Sequence, residues 1–599
     1  MSNLYAALSP VGPRVVPPIT PAPRPGSLSG KTIGFLWNGL FRGDEIFPML
    51  SVLLSAREPS IRLIDFRAFG LVFGGDENEV LADLPRRFQD LGVDTVIGGV
   101  GCCGACTPAV MRASSIAERA GVPSVSLVCD GFVGQGRGVS GGFGIPNLPI
   151  ARIVGHVDEQ DFGQLRANLA DVTLDEIVQG LTQQIQADSS DDDLPAEAVV
   201  ARGSFETINQ FFLDHKLSDG LPVVPPTREK VDEFLKFTPD DPARIIGSMR
   251  PSGFAATVFN VAVNGVMANC RPEYMPVLVA TAEALCDPAY GVEHSGDTTG
   301  GEALVILSGD ISHRLGFAME AGVLRDGVQA NTSTGRFVRL LLRNVARSLP
   351  GATDKSTFGN TWRVVLAENE TAAREFGWPL FSEDRGFASG TDLVTVARFT
   401  GGGVVGSIYG RDPKQIVAYL ADGLVRQMSW ESTYTVGFAR GTYRPLLVLS
   451  PMVARTLTRA GVDKLRLREM LYALARMRAR KMETYIGPWT NLVPGRPSLA
   501  ELVKAGKAAP VFAESDDPER LVPIVERPED ILIVVSGDRL RSNAYVFASN
   551  GPHGFPTSVR IRTRVAEEAS RLEEQSFDRS SLAAALPQTA TPTGSARPY

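Results

Sequence analysis

Three of the chain's six cysteines fall within five positions, in the stretch Gly101-Cys102-Cys103-Gly104-Ala105-Cys106-Thr107-Pro108. The stretch ends an apolar run that reads as a buried strand and directly precedes a helix, with Thr107 suited to cap it and Pro108 to the first helical position. A cysteine facing the unpaired N–H groups of a helix N-terminus gains thiolate, and the thiolate rather than the thiol is the nucleophile. Cys103 and Cys106, three apart around the turn, suit a nucleophile and a resolving partner that closes a disulfide on it, and Cys102 is a third candidate thiol. Gly101 and Gly104 let a ligand come close to the backbone, where free N–H groups hold an oxyanion. Small apolar packing residues are the plainer use of cysteine, yet packing explains such a cluster poorly. No second ligand pair follows at zinc-site spacing, so no metal ligand is assigned, and a soft metal ion on Cys102, Cys103 and Cys106 stays open.

Regular elements surround this loop. Strands are expected at Thr32 to Leu36, Ile61 to Phe66, Thr95 to Ile97 running on to Gly101, and Pro123 to Cys129. Helices are expected at Glu45 to Ala56, Glu77 to Leu91 and Pro108 to Ala120. Alternation of this kind predicts an α/β fold, a doubly wound parallel sheet of flavodoxin- or Rossmann-like type. Ligands in such sheets sit beyond the carboxyl ends of the strands, which places the cysteine loop, Asn38 and Asp130 at a candidate pocket.

At 599 residues the chain exceeds one core and divides into parts. Residues 1–29 are proline-rich and predict an extended arm, one that would lie on a partner subunit in a homo-oligomer. Residues 30–187 hold the α/β domain, 188–200 an acidic linker, 201–565 a larger mixed α+β or α/β domain, and 566–599 a disordered tail. The segments Leu304 to Asp310 and Leu532 to Asp538 share an apolar run ending in Ser-Gly-Asp, a pattern that internal duplication would produce. A net charge of -7 argues against nucleic acid as a partner, since phosphate binding needs a basic stripe. No run is long enough to cross a membrane and no signal peptide is visible, so a cytoplasmic protein acting on a small molecule is expected.

Five further candidate residues lie in the second region. Cys270-Arg271-Pro272-Glu273 joins two helices, with Arg271 suited to a carboxylate and Glu273 or Cys270 to proton exchange. His294, in the glycine-rich run Glu293 to Gly301, is placed as a general base, and Lys355 as a Schiff-base or anion-binding lysine. For each of these an ordinary surface or core role competes. No phosphate-binding loop, zincin or serine-hydrolase motif is present, and no nicotinamide cofactor is indicated.

From about Ser29 to Gly136 the chain resembles the UGSC-motif family of selenoprotein-like proteins. More distantly it is similar to the selenocysteine subunit of component B of glycine, sarcosine and betaine reductases. The resemblance rests on Gly30-Lys31-Thr32-Ile33-Gly34, on Cys103-Gly104-Ala105-Cys106-Thr107 and on Ala120-Gly121-Val122-Pro123 leading to Cys129. It implies that Cys103 stands where the family carries selenocysteine or its cysteine replacement, with Cys106 the second member of the redox motif. Ser218 to Thr227, Cys270 to Tyr274 and Asp354 to Gly359 resemble an uncharacterised bacterial family that accompanies UGSC-like proteins. The leading expectation is a thiol-dependent oxidoreductase or lyase, in which Cys103 attacks a carbon of a small, anionic substrate and Cys106 or Cys102 resolves the adduct. It requires no bound cofactor, and an external thiol reductant closes the cycle. A cofactor-free two-cysteine acid/base lyase or isomerase, and a non-catalytic thiol sensor or soft-metal binder, are the other readings.

Overall fold

A computed structural model describes residues 4–185, 194–360 and 364–563. The acidic run at 188–193 and the tail at 566–599 lie outside the described residues. Strands β1 (Thr32–Trp37), β2 (Arg62–Ile64), β3 (Thr95–Gly101), β4 (Ser124–Cys129) and β5 (Ile150–Ile153) form one sheet in the order β2-β1-β3-β4-β5. Every pairing in it is parallel. The helices between the strands are α1 (Gly43–Arg57), α2 (Glu77–Leu91), α3 (Cys106–Arg119) and α4 (Val133–Ser140). Alternate residues of each strand point to opposite faces. Ile33, Phe35 and Ile97 therefore pack on α1, whereas Leu36 and Val96 pack on α2 and α3. This is the flavodoxin-like strand order, whose switch point lies between β1 and β3. The fifth strand was not among those expected, because Ile150–Ile153 is short and follows a glycine-rich stretch with no clear periodicity.

The second region is a sandwich of two mixed sheets between two helical layers. Its strands are β6 (Glu302–Ser308), β7 (Val365–Ala367), β8 (Leu393–Phe399), β9 (Gly401–Val405), β10 (Leu446–Leu449), β11 (Leu532–Val535), β12 (Ala544–Ala548) and β13 (Thr557–Arg560). One sheet has the order β7-β6-β8-β13 and the other β11-β10-β12-β9. Leu304, Ile306, Leu446, Val448 and Phe547 fill the space between the sheets. Their neighbours Val305 and Leu307 face the helices Val258–Met267 and Met275–Cys286. On the other side, Leu447 and Leu449 face Pro413–Arg426 and Lys464–Leu474.

The two sheets repeat one pattern, a central strand with a parallel edge strand on one side and, on the other, two strands joined by successive antiparallel pairings. The outermost strands are exchanged: β9 follows β8 in sequence yet pairs with β12, and β13 follows β12 yet pairs with β8. The two Ser-Gly-Asp endings follow β6, an inner strand, and β11, an edge strand, so they occupy different places in their sheets. The helix Lys464–Leu474 stops short of Arg476–Arg478, which pairs as a short strand with Leu521–Pro523. No helix among the described residues is long and apolar enough to cross a membrane.

The proline-rich arm packs along its own chain. Tyr5–Leu8 pairs antiparallel with Val199–Gly203, part of which was expected to be linker, and Leu8 and Val11 enter the second region's core. Further along, Arg24 crosses to the α/β domain and meets Glu118 in a two-pronged pair, Nη1 to Oε2 and Nη2 to Oε1, both at 2.7 Å and fully buried. The Glu118 carboxylate also accepts the N–H groups of Ala22 and Ser124. Removing one partner of a buried pair strands the other charge away from water. Arg24→Met should therefore lower unfolding stability by about 3–5 kcal/mol in a denaturant titration. A loss below about 0.5 kcal/mol, the worth of an exposed pair, would contradict this strap role.

Candidate functional site

The cysteine loop sits at the switch point and is covered by the second region. Strand β3 ends at Gly101, where an added Cβ would come within 3.2 Å of the Thr107 hydroxyl. That hydroxyl donates to the Cys103 carbonyl at 2.8 Å, closing the first turn of α3. Cys103 is joined to Cys106 by a disulfide, and the Cys106 backbone N–H donates to the Cys103 sulfur at 3.1 Å. Cys106 is fully buried, whereas Cys103 is half-buried and lines a cavity. Cys102 points the other way, into the sheet core, and forms a disulfide with Cys129 at the end of β4. The three clustered sulfurs therefore do not converge on one point.

Gly104 fixes how the second region is seated. A Cβ there would stand 1.9 Å from the Gly296 carbonyl oxygen, so only glycine permits this approach. The Gln135 amide bridges the carbonyls of Gly104 at 2.7 Å and Thr353 at 2.9 Å. Lys355 donates its backbone N–H to Gly296, while its ammonium lies over the Phe132 ring.

The cavity enclosed by this contact has a volume of about 290 Å³, toward the small end for small-molecule sites. Leu40, Phe41 and Phe73 of the α/β domain and Trp430, Phe438 and Leu492 of the second region form its apolar walls. Asp297, Thr298, Arg398, Thr433 and Tyr434 add polar groups. Burial raises the Asp297 carboxyl against the opposing pull of Arg398. Burial also holds the Tyr434 phenol well above its ordinary range, so it stays protonated.

His294 lines the same cavity, yet both its ring nitrogens face acceptors. Nδ1 lies 3.4 Å from the Ala105 carbonyl oxygen and Nε2 3.2 Å from Glu77 Oε1. Glu77 is buried and also accepts from Arg112 at 2.7 Å, and Arg112 reaches across to pair with Glu293. His553 approaches the same Glu77 oxygen at 3.5 Å. Burial alone would raise the Glu77 carboxyl, but His294, with Arg112 and His553, holds it far below the carboxylate range. Burial lowers the His553 imidazole against the opposing pull of Glu77. Glu77, Glu293 and His294 are close enough to share a cation, but Arg112 pairs with both carboxylates and Arg250 also reaches Glu293, so these carboxylates are already engaged by protein cations. The cluster instead ties α2 and α3 to the Glu293 to Gly301 run.

The remaining expected site residues lie elsewhere. Asn38 is fully buried and staples β1 to β3 through two hydrogen bonds with Val100, so Leu40 and Phe41 form the pocket wall in its place. Asp130 is exposed and accepts the Gly155 N–H. Arg271 and Glu273 pair with each other at the surface at 3.3 Å. Cys270 is in the core, its thiol pushed up to about 12 by burial. Arg398, Thr433 and Tyr434 were missed, being single polar residues in otherwise ordinary segments. Asp297 and Thr298 belong to the glycine-rich run that did mark the site.

A doubly wound α/β domain with a Cys-x-x-Cys pair at its switch point, roofed by a double-sheet sandwich, is the class of protein that fold and site define. Residues 6–183 match the UGSC family, the family that the residues around the cysteine loop resemble. No curated protein and no solved structure matches the chain.

Because the folded carboxyl of Glu77 titrates below its unfolded value of 4.5, its contribution to stability is full above pH 4.5 and is lost as pH falls further. Melting temperature should drop across that acid range in the wild type. Glu77→Gln should lose on the order of 3 kcal/mol of unfolding free energy at pH 7, melt lower there, and show a shallower acid drop. Superimposable curves for the two proteins would rule out the cluster as the tie between domains.

Proposed function

We propose that the chain is a thiol-dependent reductive enzyme whose nucleophile is Cys103 and whose resolving thiol is Cys106. The observation that carries this reading is the seating of the Cys103 sulfur. It lines a cavity between the two regions and accepts the Cys106 N–H at the start of α3, where a thiolate is favoured. The buried Cys106 lies within bonding reach but behind the cavity surface, as a resolving thiol should.

In the reduced enzyme the Cys103 thiolate attacks a carbon that bears a leaving group and adjoins a carbonyl. The C–S bond forms and the leaving group departs with the electron pair of its bond to carbon. The Cys106 thiolate then attacks the Cys103 sulfur. The S–S bond forms, the C–S pair passes to carbon as an enolate, and the enolate takes a proton from water. The substrate gains two electrons, the two thiols lose them, and an external dithiol restores the reduced enzyme. The apolar walls slow competing attack by water, and the cysteine pair joined at Cys103–Cys106 is the oxidised end of this cycle.

2-Bromoacetophenone tests the sequence of steps. Reduced wild-type protein should release acetophenone and bromide and form one disulfide per molecule consumed, as read by chromatography and intact mass. Cys106→Ser should accumulate a stable phenacyl adduct on Cys103, and Cys103→Ser should give neither adduct at that site nor acetophenone. Turnover by Cys103→Ser at the wild-type rate would overturn the proposal.

A further inference from the structure

Arg398 ties β8 to the Tyr290 to Ser295 segment and lies over the Tyr290 ring at 4.9 Å, yet part of its guanidinium is left unused. It lies on β8 with 1 % of its surface exposed and is the largest fully buried side chain among the described residues. Its hydrogen bonds run from Nη2 alone, to the carbonyls of Tyr290 and Gly291 and to the Ser295 hydroxyl at 3.4 Å. Nε has no hydrogen-bond partner, and Nη1 lies beside Gly551, where an added Cβ would come within 3.3 Å. A buried guanidinium without a paired carboxylate is costly, and sites that bear such a cost are commonly completed by a ligand. The nearest acidic group, Asp297, spends Oδ1 on the Thr299 hydroxyl and the Gly301 N–H. No ion pair between Asp297 and Arg398 forms within 4 Å. A second polar group on the same wall is also unsatisfied: the Thr433 hydroxyl is buried and has no partner.

We infer that Arg398 and Thr433 form an anion subsite for a small organic acid, binding its carboxylate while the apolar walls take its body and Cys103 meets its reactive carbon. This rests on the thiol reading above and narrows it to substrates that carry one compact negative charge. The Tyr434 phenol, which stays protonated, lines the same cavity as a further donor. Arg112 offers no rival site, because both its carboxylate partners are protein groups.

Phenylacetate and phenylacetamide, which differ in charge and little in shape, separate the possibilities in the oxidised protein, where no free Cys103 thiol takes part. Binding is read by calorimetry and by the fluorescence of Trp430 in the cavity wall. Wild-type protein should bind phenylacetate about tenfold or more tightly over the amide. Arg398→Gln should erase that preference, Arg398→Lys should keep part of it, and Thr433→Val should weaken phenylacetate more than the amide. If Arg398→Gln does not fold, Thr433→Val and the wild-type preference carry the test. Equal affinity for the two probes in the wild type, no detectable phenylacetate binding, or full phenylacetate affinity in Arg398→Gln would each overturn the subsite. Selective, Arg398-dependent binding with an unreactive Cys103 would sink the thiol reading alone, and the reverse pattern would sink the subsite alone.

Discussion

The approach of one backbone to another at Gly104 and Gly296 sets everything at the site. The second region can rest on the cysteine loop only because residue 104 has no side chain. That one contact places Asp297, Thr298 and Arg398 across the cavity from Cys103. Around it the structure adds interactions that are strong where water is excluded: the Gln135 bridge and the Glu77–Arg112–Glu293 ion pairs. Buried charges are poor sources of net stability but discriminate strongly against wrong arrangements. Here Glu293 meets Arg112, and His294 meets Glu77, only when the domains are in register.

The arm serves the same end by a different route. By entering one core through Leu8 and Val11 and anchoring in the other through Arg24, it spans both domains before the first strand of the parallel sheet begins. Prolines keep this segment extended, so it lies along surfaces already formed without competing for a helix of its own.

Much of the α/β domain was legible in the sequence because its signals are local. Apolar runs of strand length alternated with helix-length segments, and Thr107 and Pro108 marked the start of α3 to within two residues, although the helix begins at Cys106 and Thr107 lies inside it instead of capping it. The ranking of Cys103 and Cys106 above Cys102 drew on the family resemblance as well. The partner of Cys102 was not legible, since nothing local links position 102 to Cys129 on the neighbouring strand. The exchange of β9 and β13 was hidden for the same reason, being a pairing between distant segments. Arg398 shows the limit most clearly. In sequence it is one basic residue in an apolar strand, and only the meeting of β8 with the loops around Tyr290, Thr433 and Gly551 reveals a buried cation facing a cavity. His294 was found by its glycine-rich surroundings, but its two acceptors, Ala105 and Glu77, come from the other domain and make it a strut at the junction.

The position of Cys103 at the head of α3 matters only if it lowers the acidity threshold of that thiol. The most direct measurement is the pH dependence of iodoacetamide alkylation at Cys103, followed by peptide mapping in the fully reduced, full-length protein. The proposed role requires a rate that rises with an apparent pKa below about 7.5 and outpaces Cys270 and Cys286, whose thiols burial pushes up to about 12. An apparent pKa at or above about 8.5, or a Cys103 no more reactive than those two, would contradict it.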